Sequence, residues 1–144
     1  SPGTPLDSLE YVIEDADNII LMTVNPGYKG QPLVPQTLNK IYKLDELLKK
    51  MGIREKVSIS VDGNVNPKTI PDMILKGADN LILGSSSLFD KRNSITKNFE
   101  NIKKSIDSVI WNLIWVLIQA LQSIDFDKPC TKWNEDNLSW LPGI

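Results

Sequence analysis

The sequence predicts an α/β chain of about three parallel strands with flanking helices, followed by one long helix and an irregular tail. Three observations carry that expectation. Short β-rich or apolar runs recur at Ile19 to Val24, at residues 57–64 ("VSISVDGN") and at Asn80 to Leu83. Segments with apolar residues at helical spacing stand between them. Each run closes on a glycine-bearing loop, with Gly27 and Gly30 after the first, Gly63 after the second and Gly84 after the third. Strands alternating with helices imply parallel pairing through right-handed crossovers, and ligands in such sheets sit beyond the carboxyl ends of the strands.

The elements follow in order. Thr4-Pro5-Leu6-Asp7 offers a cap, a proline suited to a first helical turn and an early acid, and Leu6, Leu9 and Ile13 continue at helical spacing, so a short helix opens the chain. Asp17-Asn18 ends it. Ile19 to Val24 is apolar without alternation, which predicts a strand buried on both faces. Pro35 starts a second helix with a stripe of Leu38, Ile41, Leu44, Leu48 and Met51, and Gly52 stops it. Asn66-Pro67 caps a third helix that finishes at Gly77. Ser94 caps a fourth, with Ile95, Phe99, Ile102, Ile106, Val109, Leu113, Leu117 and Leu121 on one side. The expected organisation is thus a strand-and-helix region over residues 1–92, a long helix over 93–124, and an irregular tail over 125–144 to which no role is assigned.

Composition narrows the functions. The chain has 144 residues, 41% of them hydrophobic, as expected of one globular domain with an ordinary core. Lys plus Arg is 16 and Asp plus Glu is 18, giving 16 − 18 = −2, which argues against a nucleic-acid partner. The apolar run Val109 to Leu121 contains Asn112 and Gln119 and is shorter than the roughly 20 residues that span a bilayer, so no membrane association is expected. No basic segment precedes an apolar core at the start, so no secretory signal is expected. The lone Cys130 excludes an intrachain disulfide framework, and a reducing cytoplasm fits best. There is no histidine, so acid–base work falls to carboxylates.

The loops carry the chemistry. Small α/β enzymes hold phosphate with backbone N–H groups at glycine loops and helix N-termini, because glycine lets the backbone come close. Gly30, Gly63-Asn64 and Gly84-Ser85 stand where such a site is built, although any one of these glycines alone is equally read as a turn or cap. Asp62, directly after Ser58-Ile59-Ser60-Val61, is placed to act as a general acid or base or as a metal ligand; an ordinary Asp-Gly turn is the alternative. Met22 by default fills core, and Lys29 either neutralises a phosphate or is solvated.

At these residues a resemblance becomes specific. "MTVNPGYKGQ" (22–31), "PQTLNKI" (35–41), "VDGNVNPKTIP" (61–71) and "KGADNLILGSSSLF" (76–89) resemble, in this order, the carboxy-terminal half of the ribulose-phosphate 3-epimerase family. "GQPLVP" and "GSSSLF" look closer to the branch acting on ketohexose 6-phosphates, such as D-allulose-6-phosphate 3-epimerase. The resemblance implies the C-terminal portion of a (β/α)8 barrel, with strands equivalent to the sixth, seventh and eighth. It also implies inversion at C3 of a ketose phosphate through a metal-stabilised cis-enediolate. On that resemblance Asp62 is the acid/base and a ligand of a divalent ion (Zn, Fe, Mn or Co), Met22 lines the enediolate pocket, and Gly27, Gly30, Gly63, Asn64, Gly84 and Ser85 face the substrate and its phosphate.

The chain departs from the family twice in these loops. Gly27-Tyr28-Lys29-Gly30 replaces the common Gly-Phe-Gly-Gly, and Asp62-Gly63-Asn64 replaces Asp-Gly-Gly. The family's second aspartate, its two metal-binding histidines and its early serine have no counterparts here, so this chain by itself is expected to be inactive and not to hold the metal alone. The non-enzymatic alternative is a phosphate-binding or structural half-barrel that self-associates as a homo-oligomer, covering its open edge and using Trp111 and Trp115. A third reading is another phosphate-binding barrel, such as a thiamine-phosphate or indole-glycerol-phosphate synthase.

Overall fold

A computed structural model describes residues 1–28 and 30–122. Lys29, Cys130, Trp133, Trp140 and the rest of the expected tail over 125–144 lie outside the described residues. The chain divides into two compact units, Ser1–Trp111 and Asn112–Ile144.

In the first unit, β1 (Asn18–Met22), β2 (Ser58–Asp62) and β3 (Asn80–Ile82) form one sheet in the order β1-β2-β3. Both pairings are parallel, with Met22 opposite Asp62 and Asp62 opposite Ile82. The crossovers contain α1 (Gln36–Lys50) and α2 (Ile70–Leu75), and α3 (Ile95–Gln122) follows β3. These are three parallel strands with flanking helices, the arrangement of a partial (β/α)8 barrel.

Alternation along the strands separates two faces. Leu21, Ile59 and Val61 join Ile41, Leu44 and Leu48 of α1, Ile70 and Met73 of α2 and Ile102 of α3 in one buried core. The opposite face carries Ile20, Met22, Ser60, Asp62 and Ile82. There Ile20 is 55% exposed and Ile82 38% exposed. The expectation that the first strand is buried on both faces is therefore not met among the described residues. In a closed barrel that second face is covered by side chains of the other strands, and an apolar run carries no sign of which element does the covering.

Local sequence rules set the helix ends. Gly52, at φ 71°, follows α1, with Ile53 N–H donating to Leu48 O at 3.1 Å and Gly52 N–H to Lys49 O at 3.0 Å. Gly77, at φ 103°, repeats this paired closure after α2 through Ala78 to Met73 and Gly77 to Ile74. Only a residue tolerant of left-handed backbone closes a helix in this way. Asn66 organises the start of α2, its Oδ1 accepting from Lys68 N–H at 2.9 Å and its carbonyl from Ile70 N–H at 3.0 Å. Ser94 caps α3 through Lys97 N–H at 3.2 Å.

Two further expectations are corrected. The opening segment forms 3-10 helices at Leu6–Leu9 and Ile13–Asp15 instead of one α-helix. Ile13 is its one buried side chain, so tertiary packing supplies too little to offset the cost of starting an α-helix in so short a stretch. The Lys40 ammonium also binds the carbonyls of Ser1, Pro2 and Thr4, fixing the segment from outside.

The stripe of α3 holds in its middle, where Ile106 packs against the core beside Ile102, and fails at its start. Ile102 and Val109 are buried, whereas Ile95 and Phe99 are 59% and 56% exposed. Asn98 takes the inward place because its Nδ2 donates to Leu88 O at 3.1 Å and to Asp90 O at 2.8 Å, which turns Phe99 outward. Trp111 is exposed, and within the second unit so are Leu113, Trp115 and Leu117. No helix among the described residues is long and apolar enough to cross a membrane.

The amino ends of the strands are tied by charge. Arg54 Nε pairs with Asp45 Oδ1 at 2.5 Å and its Nη2 with Asp79 Oδ1 at 2.8 Å, while the same guanidinium donates to Val57 O at 3.2 Å and Gly77 O at 3.0 Å. Asp79 Oδ2 accepts from Ile59 N–H at 2.7 Å. Burial pushes the Asp45 carboxyl up, but hydrogen bonds from Lys49 and Arg54 outweigh it and hold the group below its ordinary value. The hydrogen bond to Asp79 first, and that to Asp45, hold Arg54 above its ordinary range.

Candidate functional site

The carboxyl ends of the strands surround a cavity of about 530 Å³. Met22, Asp62 and Ile82 are adjacent rungs of the sheet and form its floor. Gly27, Tyr28, Gly30 and Gln31 from the β1 loop, Gly63 and Asn64 from the β2 loop, and Gly84, Ser85 and Ser86 from the β3 loop form its walls. All of the sequence-predicted site residues, Met22, Gly27, Gly30, Asp62, Gly63, Asn64, Gly84 and Ser85, thus line one space. Lys29 lies outside the described residues.

The electrostatics of the walls follow from hydrogen bonds that are not made. The backbone N–H groups of Gly27, Tyr28, Gly30, Asn64, Ser85 and Ser86 donate to no protein acceptor among the described residues, whereas the N–H of Gly63, contrary to expectation, faces β3 at the Asp62–Ile82 rung of the ladder. N–H groups gathered around one cavity with no carbonyl to answer them are available to an anion. The Asp62 carboxylate on the floor also has no hydrogen-bond or ion-pair partner among the described residues. A free carboxylate beneath a rim of free N–H groups can hold a substrate by an anionic end and exchange a proton with its middle.

The backbone carrying Asp62 is fixed from β1. Thr23 is fully buried; its N–H donates to Asp62 O at 2.8 Å, and its Oγ1 donates to Asp62 O at 3.1 Å and also to Gly63 O. Gly63 has φ 111°, and a Cβ there would lie 2.7 Å from Val24 Cγ2 and 3.0 Å from Val24 N. Glycine is needed at this place both for the backbone conformation and for the approach of the two loops.

Asn64 stands at φ 48°, the one described non-glycine residue at positive φ. Its Nδ2 donates to Gln31 O at 3.0 Å. Sequence reasoning missed Gln31 and Thr23. A polar residue directly after Gly30 was the available signal for Gln31; Thr23 sits inside an apolar run and gives none.

The family's divalent metal does not fit these residues alone. Among the described residues no three His, Cys, Asp or Glu side chains come together, and Asp62 is the only carboxylate lining the cavity. A lone carboxylate leaves the geometry of such an ion undefined.

A parallel sheet with its loops gathered over a carboxylate at the carboxyl end is the ligand-binding end of a barrel-type α/β protein. Residues 1–89 match the ribulose-phosphate 3 epimerase family, and the chain belongs to it. It is 40% identical over 91 residues to the ribulose-phosphate 3-epimerase of Methanocaldococcus jannaschii, a match covering 63% of this chain and 38% of that protein. The ribulose-phosphate 3-epimerase of Escherichia coli K12 is 38% identical over 91 residues, covering 63% and 39%. That of Bacillus subtilis is 40% identical over 86 residues, covering 60% and 39%. The chain therefore spans about two fifths of the length of these curated relatives.

Proposed function

We propose that these residues form the phosphate-gripping and one acid–base portion of a ketose-phosphate 3-epimerase. The observation that carries the reading is the free Asp62 carboxylate in the same cavity as the free N–H groups of the three loops. The phosphate binds the rim, where N–H groups of Gly27, Gly30 and Ser85 receive its oxygens. Met22 gives the sugar backbone an apolar wall, and Asp62 removes or returns the proton at C3 from one side of the ketose. Fixing the phosphate at a set distance from the carboxylate makes the proton transfer effectively unimolecular.

Inversion requires a second carboxylate on the opposite side of C3, and the described residues lack one in this cavity. We assign that group, and the ligands that complete the family's metal site, to polypeptide outside the described residues. The chain by itself binds the ketose phosphate and does not turn it over. The relatives' names favour ribulose 5-phosphate over a hexulose 6-phosphate.

The test is solvent-deuterium uptake at C3, followed by NMR, with ribulose 5-phosphate and a hexulose 6-phosphate offered in parallel. The chain alone is expected to bind one of them saturably without exchange. When it is joined to the upstream region of a relative that carries the remaining groups, exchange is expected at C3, and Asp62→Asn removes it. Absence of ketose-phosphate binding, or full exchange by the Asp62→Asn protein, overturns the assignment.

A further inference from the structure

We propose that Gln31 and Asn64 form a latch that holds the loop after β1 in its anion-receiving shape, which makes Gln31 a positioning residue; this rests on the phosphate reading given above. The Gln31 Nε2 group donates back to Asn25 O and to Tyr28 O, the latter at 3.1 Å, so one carboxamide closes the loop upon itself. A carbonyl oxygen turned into the cavity repels an anion. Gln31 holds two of the loop's carbonyls on its own amide, and the N–H groups of Gly27, Tyr28 and Gly30 remain without protein acceptors among the described residues.

Asn64 anchors this loop to the rest of the fold. Its Nδ2 donates to the Gln31 carbonyl at 3.0 Å, and its Oδ1 accepts from Asn66 Nδ2 at 2.6 Å. Its own carbonyl accepts from Thr69 Oγ1 at 2.9 Å. The rigid start of α2 thereby fixes Asn64, which fixes Gln31, which fixes the loop. The residue type is constrained on two counts. Left-handed backbone suits glycine, asparagine and aspartate, and of these only asparagine also brings a side-chain donor for Gln31. A glycine there would relax the backbone and leave the loop unlatched.

The test uses the whole chain, inorganic phosphate as probe, and backbone ¹⁵N NMR. Gln31→Met keeps the bulk and removes the donors; Asn64→Gly removes the latch and relieves the positive φ. In the unliganded protein both variants are expected to lower the heteronuclear NOE at Gly27, Tyr28 and Gly30. Loss of one or two net hydrogen bonds from a preformed site then weakens phosphate by about three- to tenfold. Thermal unfolding of each variant is followed beside the titration, so that weaker binding in a variant still folded at the titration temperature is not a consequence of unfolding. Unchanged NOE values and affinity in both variants overturn the latch and leave the phosphate reading standing. NOE values that fall in a protein whose wild type shows no saturable phosphate response overturn the phosphate reading, and with it the role given to Gln31.

Discussion

At the amino ends of the strands, Arg54 directs its guanidinium at two carboxylates and two backbone carbonyls, and Asp79 answers the N–H of Ile59. At the carboxyl ends of the same strands, residues of three loops whose N–H groups lack acceptors, and Asp62, whose carboxylate lacks a partner among the described residues, line one cavity. Both ends are polar and both are built from residues distant in sequence. The difference is that one end satisfies its groups internally and so stabilises the sheet, whereas the other leaves them available to a ligand. Barrel-type α/β proteins divide their two ends in this manner, with stability at the amino face and chemistry at the carboxyl face.

The largest expected effect breaks the amino end. Arg54→Ala leaves Asp45, whose side chain is 9% exposed, with Lys49 as its one cation, leaves the 38% exposed Asp79 without its ion-pair partner, and strips the Val57 and Gly77 carbonyls of a donor. Removing the cation from this part-buried network costs about 2 to 3 kcal/mol, because Asp45 and the two carbonyls stay largely desolvated while Lys49 and the exposure of Asp79 offset part of the loss. Urea unfolding should show that loss. A change below about 0.5 kcal/mol, the range of ordinary surface substitutions, would mean that this end is not the stabilising one.

This contrast also explains which parts of the molecule were legible in the sequence. Gly52 and Gly77 announced the ends of α1 and α2 because left-handed closure is a local requirement met by few residues. The grouping of Met22, Asp62, Gly63 and Ser85 was legible because parallel strands place every strand end on one side, whatever the distance between them in sequence. The Arg54 cluster was not, since nothing local to Arg54 distinguishes it from a solvated arginine. Thr23 was hidden among apolar neighbours although its hydroxyl fixes the backbone of Asp62. The exposed face of β1 was misread because an apolar run reports that a side chain prefers burial and not whether an element covers it.

A second, smaller break falls on the carboxyl end. Gly63→Ala puts a methyl group 2.7 Å from Val24 Cγ2 and 3.0 Å from Val24 N, at φ 111°. Val24 can rotate away, but its backbone cannot, so the β1 and β2 loops must part. The cost is about 2 kcal/mol from strain and overpacking, with phosphate binding weakened beyond what the stability loss explains. Thermal unfolding measured beside phosphate titration separates the two, and equal phosphate affinity in the variant would show that the close approach of the loops is structural alone.

Acid offers a reversible way to weaken the amino end. The Asp45 carboxyl is held below its ordinary value of 3.8, so its contribution to stability is present above that pH. As pH falls below 3.8 toward the depressed native value, the unfolded chain takes up the proton first and the contribution is lost. Asp45→Asn should therefore flatten the dependence of stability on pH in that range while leaving it unaltered between about pH 6 and 8. A wild-type slope that persists unchanged in the variant would place the acid sensitivity on other carboxylates.

The smallest effect tests the other side of the comparison. Asp62 has no hydrogen-bond or ion-pair partner among the described residues, so Asp62→Asn, which keeps its shape, should change stability by less than about 0.5 kcal/mol. The same substitution is expected to remove the proposed C3 exchange in the chain joined to a relative's upstream region. A residue that matters fully to turnover and negligibly to folding is what an end reserved for ligand must contain. If Asp62→Asn instead destabilises the chain by more than about 1 kcal/mol, its carboxylate is held by groups within the fold, and the carboxyl end satisfies itself as the amino end does.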